Sequence, residues 1–278
     1  MPIQSRNFKA APMIILLSLL SLPLLIMCFY LIVDTITNTQ PGTLIPDEIT
    51  FEHWRFLWQT TENSSANIWR VTLNTFVFSI TTATTILAIS LTAGYALSRL
   101  NIPFRRFFLS GLIMLHAFPT ITLIIAIFLI LQTLGLYDSL IGVIMVKSAL
   151  ELPFGIWIMK GFYDNVPWEI EMAGVQDGAS RFTVWRKLVL PQVQPGMMAL
   201  LVFSFLTAWS ELVLPLVLAP GNKSQVLSVY LATMLADERS IDFNLMKSVG
   251  LFYVIPVVIT YMIFQRKLMN IYGGGTKG

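Results

Sequence analysis

Val166-Pro167-Trp168-Glu169-Ile170-Glu171-Met172-Ala173-Gly174-Val175-Gln176-Asp177-Gly178-Ala179-Ser180 runs on through Arg181-Phe182-Thr183-Val184-Trp185-Arg186-Lys187-Leu188-Val189-Leu190-Pro191 to Pro195-Gly196. This polar stretch lies between apolar runs. Pro167 suits the first turn of a helix, where its missing N–H would be unpaired anyway. Glu169 and Glu171 fall early in that helix, where negative charge is favoured. Gly178 can take the left-handed geometry that ends it. Ser180 can cap a second short helix, with Arg186 and Lys187 near its end. Pro191, Pro195 and Gly196 are expected to stop the pattern before the next apolar run. The stretch therefore reads as an ordered loop of two short helices, and a long ordered loop is usually functional.

The rest of the chain gives that loop its setting. Hydrophobic residues make up 55% of the 278 and charged residues 12%, about half the usual charged share. Such a chain cannot cover its surface with polar groups, so lipid is the expected solvent. A net charge of +3 follows from basic loops between spans and gives no argument for nucleic acid. Cys28 is the single cysteine. It cannot form an intrachain disulfide and reads as a lipid-facing thiol.

Six spans are expected, at 10–33, 71–98, 107–136, 139–160, 197–219 and 248–265. The first run is too long for a signal peptide and no clean cleavage site follows, so it reads as a retained span. Arg6 and Lys9, then Arg99, Arg105 and Arg106, then Arg181, Arg186 and Lys187, then Arg266, Lys267 and Lys277 alternate with poorly basic segments. That pattern places both termini and the loop inside. Residues 34–67 are expected outside, with turns at Pro41-Gly42 and Pro46-Asp47. They carry Asp47, Glu48, Glu52 and Glu62 against Arg55. Trp54 and Trp58 read as interfacial or packing residues, and Asn63-Ser64-Ser65 as a chance match to a glycosylation pattern. Residues 220–247 read as a second outer segment. The chain divides into 1–67 (first span and outer segment), 68–267 (core) and 268–278 (flexible tail).

Polar residues inside the spans are the candidates for work. The threonines of 71–98 are expected to bond back to their helix or across to neighbours. His116 is either a packed residue or a proton site; no acidic residue near it in sequence supports the second reading. Pro119 is expected to kink the third span. Lys147 and Glu151 share a helical face four residues apart. They line a transport route or form a pair that assembles the bundle. Glu211, in Trp209-Ser210-Glu211, is a candidate for the route wall or a gate, or a carboxylate bonded within the bundle.

No catalytic constellation appears. A Gly-x4-Gly-Lys nucleotide loop is missing, and Gly221-Asn222-Lys223-Ser224 lacks the earlier glycine. His53 and His116 fall on different layers, so no metal site is expected. The chain reads as a non-enzyme that moves or holds something, with energy supplied from elsewhere.

The loop closely resembles the cytoplasmic loop of permease subunits in binding-protein-dependent ABC importers. That family carries Glu-Ala-Ala, three residues, Gly, nine residues, then Ile-x-Leu-Pro. With Gly178 fixed, Leu188, Leu190 and Pro191 fall in register, as do Asp177 and Ala179 of the common Asp-Gly-Ala. The first three positions become Met172, Ala173 and Gly174. Met172 thus stands where the family has Glu, and Glu171 lies about 100° away around a helix. The departure bears on that ion pair and leaves docking expected. The resemblance runs from about 68 to the C-terminal end. Trp209-Ser210-Glu211 is similar to a Trp-Asn-Glu-like triplet of the sugar permeases, with Ser210 in place of the common Asn, and the first span and outer segment also fit the carbohydrate branch. The length, the outer segment and the basic Phe264-Gln265-Arg266-Lys267 end resemble the second permease subunit of maltose-type importers.

The resemblance implies an all-α membrane fold of the MetI-like kind, with six transmembrane helices and a cytoplasmic coupling helix, in a bacterial-type inner membrane. It implies coupling to an ATPase through Glu169, Glu171, Met172, Ala173, Gly174, Asp177, Gly178, Ala179, Leu188, Leu190 and Pro191. Lys147, Glu151, Trp209, Ser210 and Glu211 are the route candidates. The implied partners are a second permease, an ATPase dimer that consumes the ATP, an extracytoplasmic binding protein and a sugar, with no cofactor bound by this chain. The favoured substrate is a neutral disaccharide or glucoside such as trehalose, sucrose or maltose, including compatible solutes. Two other readings stand beside it: a transporter driven by an ion gradient, in which internal repeats would be expected, and a structural membrane subunit.

Overall fold

The apolar runs and the polar loop above become helices in the computed structural model, which describes residues 5–38, 48–59, 67–236 and 242–273, with side chains from 12 to 265. The turns expected within 41–47, Glu62, Asn63-Ser64-Ser65, the side chains of Arg6, Lys9, Arg266, Lys267 and Lys277, and the tail from 274 lie outside the described residues.

The centre is built from α2 (Ile68–Arg99), α5 (Leu140–Asp164) and α9 (Gln194–Trp209), with α2 packed most extensively on α5 and then on α9. The starts of α2 and α5 are capped by side chains. The Asn67 side chain accepts the Trp69 N–H, and Ser139 Oγ accepts the Gly142 N–H, which satisfies donors no helix can pair internally. Three threonines of α2 bond back as expected: Thr72, Thr75 and Thr84 each donate to the carbonyl four residues back, at 2.8 Å. Thr82 Oγ1 is buried with no partner among the described residues.

Small residues let α2 and α5 approach closely. A Cβ on Gly94 would lie 2.9 Å from Met159 Cβ and 3.0 Å from the Lys160 backbone nitrogen. Neither atom can swing aside. Gly94→Ala is therefore expected to lower the stability of the purified protein by about 1–3 kcal/mol through overpacking, read as a fall in its thermal midpoint in detergent.

Two expected spans are broken. The run 107–136 is not a kinked helix; it forms α3 (Arg105–His116) and α4 (Thr120–Thr133), bent by 95°. Pro119 has no N–H to donate and takes an extended ψ of 123°, so the helical ladder stops rather than bends. His116 stacks on Phe154 at 5.4 Å and lies 3.4 Å from the Leu150 carbonyl, which is the packing role. The run 197–219 breaks at 210–212 into α9 and α10 (Val213–Leu218).

The segment 220–247 is not simply an outer loop. It contains α11 (Leu227–Ala236), and Leu227, Val229 and Tyr230 are buried. Asn74 Nδ2 donates to the Lys223 and Gln225 carbonyls at 2.9 Å each, and the Leu227 N–H donates to Thr75 Oγ1 at 2.8 Å. α12 (Phe243–Gly273) starts five residues before 248 and runs through the first part of the tail expected from 268.

α1 (Ser5–Thr35) is strongly apolar from Pro12 to Val33, and its most apolar stretch is 0% buried against the rest of the chain; Cys28 is exposed on it. It is fastened at its end. Asp34 pairs with Lys247 at 2.9 Å, and Trp54 Nε1 donates to the Thr35 carbonyl at 3.0 Å. β1 (Thr37–Asn38) pairs antiparallel with β2 (Glu48–Ile49). Trp54 packs on Phe56, while Trp58 is exposed. Among the described residues, four helices are long and apolar enough to cross a membrane, or six if each bent pair (Arg105–His116 with Thr120–Thr133, and Arg181–Gln192 with Gln194–Trp209) counts as one span.

Candidate functional site

The loop between α5 and α9 folds as the sequence suggests and then does more. α6 (Trp168–Gln176) has Pro167 just before it and Glu169 and Glu171 in its first turn. Nine residues are too few for a helix stable on its own, so its ends and packing must hold it. At its end the Gly178 N–H donates to the Val175 carbonyl and the Ala179 N–H to Gly174, with Gly178 at φ +81°. This is the Schellman arrangement, which pairs the last carbonyls. Ser180 Oγ then accepts the Thr183 N–H and starts α7 (Arg181–Val184).

Pro191 does not stop the second helix. Trp185–Val189 widens into a π-turn, and the Leu190 N–H reaches back to the Trp185 carbonyl. The wider turn makes room for a ring that would clash with an ordinary α-turn. The helix continues through α8 (Leu190–Gln192) and turns by 72° at Val193 into α9, with Pro195 in the first turn.

The spacing of the motif is explained by this hairpin. A Cβ on Gly174 would meet Leu188 Cδ1 at 2.7 Å and Val184 Cγ2 at 3.0 Å. Gly174 and Leu188 thus lock one short helix against the other. Ala179, Leu190 and Ile170 pack at the edge of the same core.

Glu171 does not stand on the free face of α6. Its side chain is 7% exposed and pairs with Arg99 Nε, whose side chain is 9% exposed. Tyr95 OH donates to its other oxygen at 3.1 Å. Arg99 Nη2 also donates to the Val166 carbonyl at 2.7 Å, and its guanidinium lies 5.3 Å from the centre of the Trp168 ring. Tyr95 packs edge-on to Tyr163, whose hydroxyl accepts the Trp185 Nε1 proton at 3.2 Å. The inner lining of the loop is therefore clamped to α2 and α5. Left exposed are Trp168, Glu169, Met172, Ala173, Val175, Asp177 and Gly178 on α6 and its turn, with Phe182, Leu188 and Pro191 beyond. Trp168, Met172, Val175 and Phe182 are 49%, 40%, 42% and 66% exposed, an apolar surface on a rigid support.

The route candidates gather in the bundle. Lys147 Nζ lies 3.0 Å from Glu151 and 2.7 Å from Glu211. The other oxygen of Glu211 accepts the Val213 and Leu214 N–H groups at 3.1 and 3.3 Å, capping α10. The Glu211 carbonyl accepts Ser228 Oγ at 2.6 Å. One ammonium thus holds two carboxylates and fixes α5, the 210–212 break and α11 together. Trp209 cannot line a route within this chain: it is 0% exposed, stacks on Tyr253 at 5.9 Å and donates to the Tyr253 carbonyl. Ser210 is exposed beside it and bonds back to Leu206.

Residues 85–269 match the family model described as "Binding-protein-dependent transport system inner membrane component". The chain belongs to this family. Among similar proteins, the diacetylchitobiose uptake system permease protein DasC of Streptomyces coelicolor is 30% identical over 84% of this chain and 83% of its own length. The trehalose transport system permease protein SugB of Mycobacterium tuberculosis is 27% identical over 90% of each. The fold agrees with a crystal structure of a bacterial ABC transporter involved in the import of the acidic polysaccharide alginate. Its TM-score is 0.80 at 22% identity, covering 96% of this chain and 99% of that one. The permease is thus an all-α membrane protein of the importer type.

Arg99 and Tyr95 are the residues of this permease that sequence reading missed. Arg99 signalled only which side the end of α2 faces. Its proximity to Glu171, 72 residues away in sequence, is set by how α5 returns the chain to the same end.

Proposed function

We propose that this permease forms half of the translocation route of an ATP-driven, binding-protein-dependent importer for a neutral disaccharide or glucoside. The reading is carried by the clamped loop: an apolar face held rigidly by the Arg99–Glu171 pair can transmit a push from a partner, where a free loop would absorb it. The free face around Met172 and Val175 docks on an ATPase dimer, which consumes the ATP; this chain supplies no nucleotide site. A second permease completes the route, and an extracytoplasmic binding protein delivers the sugar. The loop and both termini face the cytoplasm, consistent with Arg99, Arg105 and Arg106 beside them. The diacetylchitobiose and trehalose relatives support a disaccharide.

Uptake of radiolabelled trehalose or diacetylchitobiose into vesicles loaded with ATP, without an ion gradient, tests the reading. Transport that follows ATP favours it. Transport that follows an ion gradient, or none with any sugar tried, defeats it. Gly178→Pro is expected to stop uptake while the protein stays in the membrane, because proline cannot adopt the φ of +81° found there. Uptake at the unmodified rate would contradict the lever.

A further inference from the structure

α3 is fastened to the rest of the chain near its two ends. None of its residues is buried, and among the described residues α5 is the one element it packs on to any extent. At its start Arg105 lies 4.0 Å from Asp164, and at its end His116 stacks on Phe154 and lies 3.4 Å from the Leu150 carbonyl. α3 therefore runs antiparallel along α5, from the base of the loop to the turn that carries Glu151. Its 12 residues make a strap about 18 Å long, at 1.5 Å per residue.

Both corners of the strap are sharp, and the first is strained. Phe104 enters α3 at φ +58° with its side chain 84% exposed. A side chain is disfavoured in that conformation because its Cβ crowds the following carbonyl, and an exposed ring gains no packing to offset this. No side chain caps the helix, and Arg105 and Arg106 put two cations in its first turn, where the dipole favours anions. The far corner is the 95° bend at 117–119. Strain of this kind persists where neighbours hold it in place, and it gathers at switch regions.

Asp164 is the neighbour that holds it. Its Oδ1 accepts Ser98 Oγ at 2.6 Å and its Oδ2 pairs with Lys160, so the carboxylate is positioned without Arg105. It joins the ends of α2 and α5 to the start of α3, two residues before Val166, whose carbonyl accepts from Arg99. The contact with Arg105 is long, and the two side chains are 35% and 41% exposed. Such a pair is weak and opens without leaving a buried charge.

We propose that α3 is a strap hinged at Phe104 and at 117–119, latched to the base of the loop by Asp164, and that its first turn swings away from α5 when the loop is pushed. Asp164 is a positioning residue, acting on transport through Arg105. Release lets Phe104 leave its left-handed conformation. The link to the loop rests on the coupling role proposed above; the hinge and the latch stand without it.

The test measures distances by pulsed electron resonance on the purified transporter complex in nanodiscs. Spin labels sit on Phe107→Cys in α3 and Gly250→Cys in α12, with Cys28→Ser removing the native thiol. Phe107 is 81% exposed, and Gly250 has no atom within 4 Å of where a Cβ would stand. Two distance populations are expected, latched and released. Asp164→Asn, and separately Arg105→Gln, are expected to raise the released population about fivefold, the effect of losing a weak ion pair at a helix start. Phe104→Gly is expected to lower it about tenfold, since glycine takes a positive φ without strain. Added to Asp164→Asn, Phe104→Gly is expected to restore most of the latched population, a rescue that a merely structural role for Asp164 would not show. A single population in every variant, or a released population raised by Phe104→Gly, overturns the inference. ATP with vanadate is expected to raise the released population in the otherwise unmodified chain. Populations that obey the variants but ignore the nucleotide support the hinge and the latch and overturn the coupling role of the loop.

Discussion

Glu171→Leu is expected to reduce ATP-coupled uptake at least about 100-fold while ATP hydrolysis by the complex continues. The variant leaves Arg99 without its carboxylate in a site where both side chains are under 10% exposed. Removing one partner of a buried pair costs about 3–5 kcal/mol, because the other charge is left uncompensated. Here that cost falls on the docking of α6, a helix of nine residues with little stability of its own. The push from the ATPase would then be spent on moving the loop alone. Hydrogen exchange over 168–176 should quicken in step with the loss of uptake. Arg99→Met combined with Glu171→Leu removes both charges, and buried pairs replaced this way are often no less stable. The double variant is therefore expected to regain most of the protection and a measurable part of the uptake. Wild-type uptake in Glu171→Leu would remove the clamp from the mechanism.

Lys147→Met is expected to be the most damaging change within the bundle. It leaves Glu151 and Glu211, whose side chains are 19% and 16% exposed, facing one another without a cation. The expected cost is about 3–5 kcal/mol, seen as a sharp loss of folded complex and a lower thermal midpoint. Glu151→Gln should be the mildest, within about 1 kcal/mol, because it leaves the neutral Lys147–Glu211 pair intact and lifts a surplus negative charge. Glu211→Gln should fall between, at about 1–3 kcal/mol. Its amide oxygen can still cap α10, and Lys147 keeps Glu151. The ranking is the test. Were Glu151→Gln as harmful as Lys147→Met, the carboxylate would be acting on something beyond the bundle, and a route role would return for it.

The contrast between these two sites shows where sequence reasoning reached. Lys147 and Glu151 were legible as a pair because a helix places residues four apart side by side. Glu211 could be flagged as an expensive charge, but not joined to them, because its partner comes from another helix. The loop was legible almost residue by residue: Pro167, Gly178 and Ser180 act through their own backbone geometry. Pro191 was misread because a π-turn, which spares it the clash, has no signal in local composition. Trp209 entered the route candidates only as part of a triplet shared with the family, and its burial against Tyr253 of α12 depends on a helix distant in sequence.

From the chain alone came the apolar runs and the two short helices, since periodicity, capping and φ preferences are local and operate within a few residues, and the motif spacing that carries the family resemblance. Tertiary structure decided which of those residues stay available to a partner. It turned Glu171 inward to Arg99 and left Met172 and Val175 outside, broke two spans, and buried the first turn of α11. Those outcomes depend on the cost of leaving a charge or a backbone N–H unpaired away from water, and that cost is known only when the neighbours, distant in sequence, are in place.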